Sequence, residues 1–241
     1  MNKTLLIISC LLLFTSCSLK KGYIQFNEEN KDEIISSQAI KEHLKKHPNP
    51  SIVLKAPDVG NHVTESNDNS YIYNAIEKEL LLGGFDVKDR GLFNEVVNKS
   101  KEIDYAEIKR ITGTDLILEL VQIDVERGYK TNTFFGANGN QIVEPGIVFE
   151  KGGVIVEFKI TIIENNVYGG SYLFHYTPCK EKTTSCDCEV IYKSMPQTVY
   201  LNRSFCNDPN VDKKGYKIFP RDKATSFVRD VVRKMISAIK E

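Results

Sequence analysis

Between Ser51 and Val125 the chain alternates strand and helix signals, and that order constrains the fold more than any other feature of the sequence. Ser51-Ile52-Val53-Leu54 is a continuous apolar run of strand length. From Tyr71 to Leu82, Ile72, Ile76 and Leu80 recur every four residues, and Gly83-Gly84 supplies a left-handed stop, so a helix is predicted there. Phe85 and Val87 alternate with Asp86 and Lys88, the mark of a short strand with one buried face. A second helix is expected over Leu92 to Asn98. Asp104 and Glu107 have capping-box spacing ahead of Ile108 and Ile111, and Thr112-Gly113 ends that third helix. Leu116 to Val125 then reads as a long apolar strand. Strand, helix, strand, helix, helix, strand is the order of helices packed on a sheet.

The flanks extend this plan. Ile34, Ile35, Ala39, Ile40 and Leu44 suggest a short helix that stops before Pro48-Asn49-Pro50, because proline disfavours helix at the preceding residue. Val154, Val156, Phe158, Ile160 and Ile162 alternate with Glu157, Lys159 and Thr161, a strand with one core face. Asn165-Asn166 and Gly169-Gly170 turn the chain into Tyr172 to Tyr176, which predicts a hairpin. From Pro220 onward, Phe227, Val228, Val231, Val232, Met235, Ile236 and Ile239 fall at helical period opposite Arg229, Arg233 and Lys234. That polar face is not strongly basic, so this amphipathic helix is expected to pack on the sheet rather than on a membrane. With 41% apolar and 27% charged residues the composition is that of an ordinary globular protein. The expected class is α+β, a mixed sheet with helices packed on it.

With these elements placed, four segments resemble a known group. They are Tyr73-Asn74-Ala75-Ile76-Glu77-Lys78-Glu79-Leu80, Gly84-Phe85-Asp86-Val87-Lys88-Asp89-Arg90, Asp104-Tyr105-Ala106-Glu107-Ile108 and Thr112-Gly113-Thr114-Asp115-Leu116-Ile117-Leu118. Their order is similar to the TolB amino-terminal domain and its relatives, among them the curli secretion-channel lipoprotein and lipoprotein activators of penicillin-binding proteins. The resemblance is strong over about 55 residues and extends by element order over about 150. It implies the TolB amino-terminal-like fold and a role in the cell envelope. Its motifs are packing signatures: Gly84 and Gly113 stop helices, Asp115 caps or bonds local backbone, and no catalytic residue carries across. The chain departs from the plan in an insert, residues 126–153, and a cysteine-rich hairpin region, residues 177–206.

The amino terminus resembles the signal of a bacterial lipoprotein. Lys3 is a basic start, Leu5 to Phe14 an apolar stretch, and Thr15-Ser16-Cys17 a lipobox-like end in which Phe14 stands where leucine is commoner. The resemblance implies cleavage before Cys17 and acylation of its thiol; ordinary cleavage after Ser18 is the alternative. The apolar run is too short for the roughly 20 residues a spanning helix needs. Residues 1–16 are thus the signal peptide, the charged stretch 17–33 a tether, and 34–241 a single domain. Removing 1–16 takes Lys3 and no acidic residue from 32 of each sign, which leaves a net charge of −1. That balance argues against nucleic acid as a partner. Ser18 carries no acidic retention signal, so an outer-membrane anchor facing the periplasm is the expected location.

Four cysteines remain in the exported body, Cys179, Cys186, Cys188 and Cys206, and an oxidising compartment favours disulfides. Two connectivities stay open: 179 with 186 and 188 with 206, or 179 with 188 and 186 with 206. Free thiols or a four-thiolate zinc site are the other readings, although Cys-x-Cys is not the usual zinc knuckle.

No catalytic residue, metal site or cofactor is identified. His43 and His47 sit four apart on the first expected helix, but Lys41, Lys45 and Lys46 surround them, and a solvated helix face is the simpler account. His62 and His175 have no signature. Phe134-Phe135-Gly136-Ala137-Asn138-Gly139-Asn140 lacks the lysine and the strand-to-helix setting of a phosphate loop and reads as a mobile loop. Tyr129, Phe134, Phe135 and Phe149 are nominated as partner contacts, because aromatics anchor interfaces. The function expected is a membrane-anchored, non-enzymatic accessory that binds an envelope protein. The alternative is a homo-oligomeric secretion or assembly channel whose insert spans the membrane, although Tyr129 to Phe135 alternates only weakly for a barrel strand.

Overall fold

The computed structural model describes residues 19–27, 31–56, 70–99, 105–180, 188–192, 199–201 and 219–241. Along the chain the strands are β1 (Lys20–Ile24), β2 (Glu33–Ser36), β3 (Ser51–Lys55), β4 (Asp86–Val87), β5 (Leu116–Thr131), β6 (Thr133–Phe135), β7 (Gln141–Val143), β8 (Phe149–Ile162), β9 (Val167–Tyr176), β10 (Glu189–Tyr192) and β11 (Val199–Leu201). The helices are α1 (Gln38–Lys46), α2 (Ser70–Leu82), α3 (Arg90–Lys99), α4 (Tyr105–Thr112) and α5 (Arg221–Lys240). The α+β expectation holds, with one mixed sheet, one antiparallel sheet and a carboxy-terminal helix.

The chain divides into two compact units. The larger comprises residues 28–129, 150–178 and 210–241, and the smaller residues 1–27, 130–149 and 179–209. Residues 34–241, expected as a single domain, contribute to both units. The stretch 17–33 is not a plain tether either, because it supplies β1 and begins β2.

In the larger unit six strands run in the order β2-β9-β8-β5-β3-β4. β3 lies parallel to β5, Ile52 opposite Leu116 and Leu54 opposite Leu118, and parallel to β4 on its other side. The period of two sorts these strands between two cores. Ile52, Leu54, Leu116, Leu118 and Leu120 pack with α1, α2 and α5 in one cluster. Val53 and Ile117, one residue out of step, pack with Phe93 of α3 and Ile108 of α4 in the other. Central strands covered on both faces lose the polar alternation of a half-exposed sheet, which is why Ser51 to Leu54 reads as unbroken apolar sequence.

α2 ends as its glycines require. Phe85 N donates to Leu80 O at 3.1 Å and Gly84 N to Leu81 O at 3.0 Å, with Gly84 at φ +85°. This is a Schellman stop. The first helix differs from expectation: Ile34 and Ile35 lie in strand β2, and α1 begins only after Ser37, whose side chain accepts from Ile40 N at 3.3 Å. A serine N-cap outweighs the apolar spacing that predicts a helix from Ile34.

In the smaller unit the order is β11-β10-β1-β6-β7, with β1 in the middle of the five strands. β1 pairs antiparallel with β10 (Lys20 opposite Tyr192) and with β6 (Tyr23 opposite Phe135). Phe134 meets Phe149 and Tyr192 edge-on at ring distances of 6.2 and 5.1 Å, and Tyr23 stacks on Phe135 at 5.2 Å. Of the segment expected as a mobile loop, Phe134 and Phe135 lie in β6 and residues 136–140 form the β6–β7 turn, exposed from Ala137 to Asn140.

Candidate functional site

The four aromatics nominated as partner contacts are packing residues instead. Phe134, Phe149 and Tyr129 are buried, and Phe135 is half-buried against Tyr23. Phe134 and Phe135 lie opposite Ile24 and Tyr23 of β1, more than a hundred residues upstream, and Phe134 also meets Tyr192 of β10, so nothing local announces their burial. Cys179 and Cys188 form a disulfide, with Cα atoms 5.8 Å apart, as in one of the two connectivities left open. Cys17, Cys186, Cys206 and His62 lie outside the described residues.

His43 corrects the solvated-face reading. It is buried, its ring lies 4.8 Å from that of exposed His47, and its Nε2 has no hydrogen-bond partner. Burial first, then the neighbouring His47, hold its pKa below 6.5, while the Asp115 and Glu164 carboxylates oppose that shift. His175 donates its backbone N–H to Asp32 Oδ1 at 2.9 Å. Among the described residues no group of three or more His, Cys, Asp and Glu side chains converges as a metal site needs.

Near His43 the larger unit carries a polar cluster centred on Asp115. Ser51 Oγ lies 2.7 Å from both Asp115 Oδ2 and Gly113 O and accepts from Asp115 N at 2.9 Å. Ser51 N donates to Asp115 Oδ2 at 3.0 Å, and Lys109 Nζ stands 3.4 Å from Oδ1. Asp115 O also accepts from Ile163 N at 2.9 Å. One aspartate thus ties together the starts of β3 and β5, the end of α4 and the β8–β9 turn. These polar atoms bond to one another and to backbone, and nothing local to Asp115 announces Ser51 as its partner.

The feature best suited to meet another molecule is the outer edge of β2. Adjacent residues of a strand point to opposite faces, yet both Ile34 (44% exposed) and Ile35 (55%) are open to solvent. Among the described residues no strand pairs with the outer side of β2. The opposite edge, β4, is only two residues long. In the smaller unit the edge β7 has three residues, with Val143 exposed.

No protein-family model matches the chain, and no curated protein matches it. Among solved structures it is similar to PelC from Paraburkholderia phytofirmans. A dodecamer of a PelC point variant aligns with 93% of this chain and 99% of its own at 10% identity and a TM-score of 0.35. A PelC dodecamer in another crystal form aligns with 80% of this chain and 87% of its own at 11% identity and a TM-score of 0.34. Both scores are low, so the functional reading rests on this chain's own residues.

Proposed function

We propose that this chain is a lipid-anchored cell-envelope protein, held at the outer membrane through Cys17, that acts as a non-enzymatic accessory by docking an extended segment of a protein partner along β2. The observation that carries the docking is the pair Ile34 and Ile35, β-branched and exposed on a four-residue edge strand. An exposed edge offers unpaired backbone donors and acceptors to an incoming strand, and the two side chains offer apolar surface on either side of it. The lipobox-like run ending at Cys17 supports the anchor, since two or more acyl chains hold a protein firmly on a bilayer.

The test uses full-length protein in its native membrane. A photo-crosslinking residue at Ile35 is expected to capture a discrete partner, and Ile35→Lys to abolish that capture without unfolding the chain. Capture that survives Ile35→Lys removes β2 as the docking edge. Light scattering of the detergent-extracted protein is expected to give a monomer or dimer. A ring-sized assembly overturns the accessory reading in favour of a channel subunit.

A further inference from the structure

We propose that the end of the smaller unit's sheet at which β1 begins rests on the lipid headgroups, and that the β6–β7 turn, residues 136–140, is a membrane contact. The proposal rests on the Cys17 anchor above and adds an orientation and a contact surface to it.

The leash is short. Three residue steps separate Cys17 from Lys20, the first residue of β1, which is about 10 Å of fully extended chain. An acylated Cys17 therefore leaves this end of the sheet little room to leave the bilayer surface. β6 runs antiparallel to β1, with Ile24 opposite Phe134 and Tyr23 opposite Phe135, so the chain leaving β6 heads back toward the start of β1. It arrives beside Tyr192, the residue paired with Lys20: a Cβ added at Gly136 would lie 2.6 Å from the Tyr192 hydroxyl. The turn is thus carried to the anchor end.

Its construction suits a polar surface. Gly136 N donates to Asn140 O and Gly139 N to Gly136 O, both at 2.8 Å, with Gly139 at φ +80°. Ala137, Asn138, Gly139 and Asn140 are all exposed. Next to them Leu19 is 59% exposed and Lys20 is open to solvent. Amide side chains and a lysine ammonium match phosphate and glycerol oxygens, and a single leucine is too little to draw the turn into hydrocarbon. The expected mode is a closed turn lying on the headgroups. The opposite end of the sheet holds the Cys179–Cys188 disulfide and Val143, which pairs with Thr133 and is level with position 25. Five strand residues from Lys20 put that level about 16 Å further along.

The chain contains no tryptophan, so one introduced residue reports its own depth. Full-length Ala137→Trp and Val143→Trp proteins, extracted with their native acylation, are added to phosphatidylcholine–phosphatidylglycerol vesicles with or without phosphatidylcholine that carries a nitroxide on its headgroup. The expected result is that Ala137→Trp loses most of its fluorescence to the nitroxide lipid and Val143→Trp keeps most of its own. Inserting a Gly/Ser linker of roughly 20 residues between Ser18 and Leu19, with a span of about 5–6 Å × √n, is expected to erase the difference. Equal quenching, or stronger quenching at Val143, in a chain whose intact mass shows the acyl groups overturns the orientation and leaves the anchor standing. An intact mass without acyl groups overturns the anchor and the orientation together.

Discussion

The hydroxyl of Ser51 and the carboxylate of Asp115 meet at 2.7 Å across 64 residues of sequence, and that contact fixes the starts of two parallel neighbouring strands. Burial pushes the Asp115 carboxyl up, but bonds from the Ser51 hydroxyl and backbone N–H, with Lys109 nearby, bring it below its ordinary 3.8. A carboxyl lowered by folding contributes stability that is fully present above its unfolded value and is lost as the pH falls through its folded one. Asp115→Ala leaves the Ser51 N–H without its side-chain acceptor, and a loss of about 1–3 kcal/mol at neutral pH is expected. Urea midpoints should show this loss shrinking below about pH 4, where the wild-type carboxyl also becomes protonated.

A second polar tie joins α2 to α5. Glu79 is 3% exposed and accepts from Arg233 Nε at 2.8 Å and Nη2 at 3.0 Å, while Arg229 Nε stands 3.8 Å away. Removing Arg233 leaves a buried carboxylate with only the more distant arginine. Arg233→Met is therefore expected to lower the thermal midpoint clearly more than Arg229→Met, and Glu79→Leu combined with Arg233→Leu to recover most of the loss, because the uncompensated buried charge is what destabilises. Equal effects of the two arginine substitutions would show that the bidentate geometry is immaterial.

Features set by neighbours in sequence were legible, and those set by distant strands were not. The α2 stop could be read from Gly83-Gly84 because a Schellman turn is completed within six residues. The alternation from Val154 to Ile162 likewise announced β8. Ile34 and Ile35 misled, since their spacing to Ala39 and Ile40 fits a helix, whereas Ser37 starts α1 and β9 draws the isoleucines into a sheet. Phe134 and Phe149 looked like surface anchors because the smaller unit is assembled from three separated segments. Asp115 was expected to bond local backbone; Ser51, its main partner, lies in a different strand.

His43 makes the larger unit sensitive to mild acid. Burial and His47 hold its pKa below 6.5 against the pull of Asp115 and Glu164, and Lys109 adds to the lowering. A base whose folded pKa is depressed binds its proton more readily in the unfolded chain, so stability declines as the pH falls from about 6.5 toward the folded value. His43→Leu also removes the Nε2 that lacks a partner. The variant is expected to be at least as stable as wild type at pH 7.5 and to show a flatter thermal midpoint between about pH 6.5 and 5. An unchanged pH slope would assign the acid sensitivity elsewhere.

Cys179 and Cys188 close a loop with a sequence separation of nine, and a bridge over a loop that short stabilises by about 2–3 kcal/mol in the chain-entropy view. Cys179 also sits at φ +50°, in the left-handed region that a residue with a Cβ rarely adopts. Removing the bridge with Cys179→Ala and Cys188→Ala therefore loses the cross-link and keeps the strain, whereas Cys179→Gly with Cys188→Ala loses the cross-link and relieves it. The glycine pair is expected to unfold at a higher urea concentration than the alanine pair by an amount equivalent to roughly 1 kcal/mol. Digestion without reduction should release the peptides carrying Cys179 and Cys188 as one linked species. A species linking Cys179 to Cys186 instead would overturn the pairing and, with it, the tie between the chain leaving β9 and the start of β10.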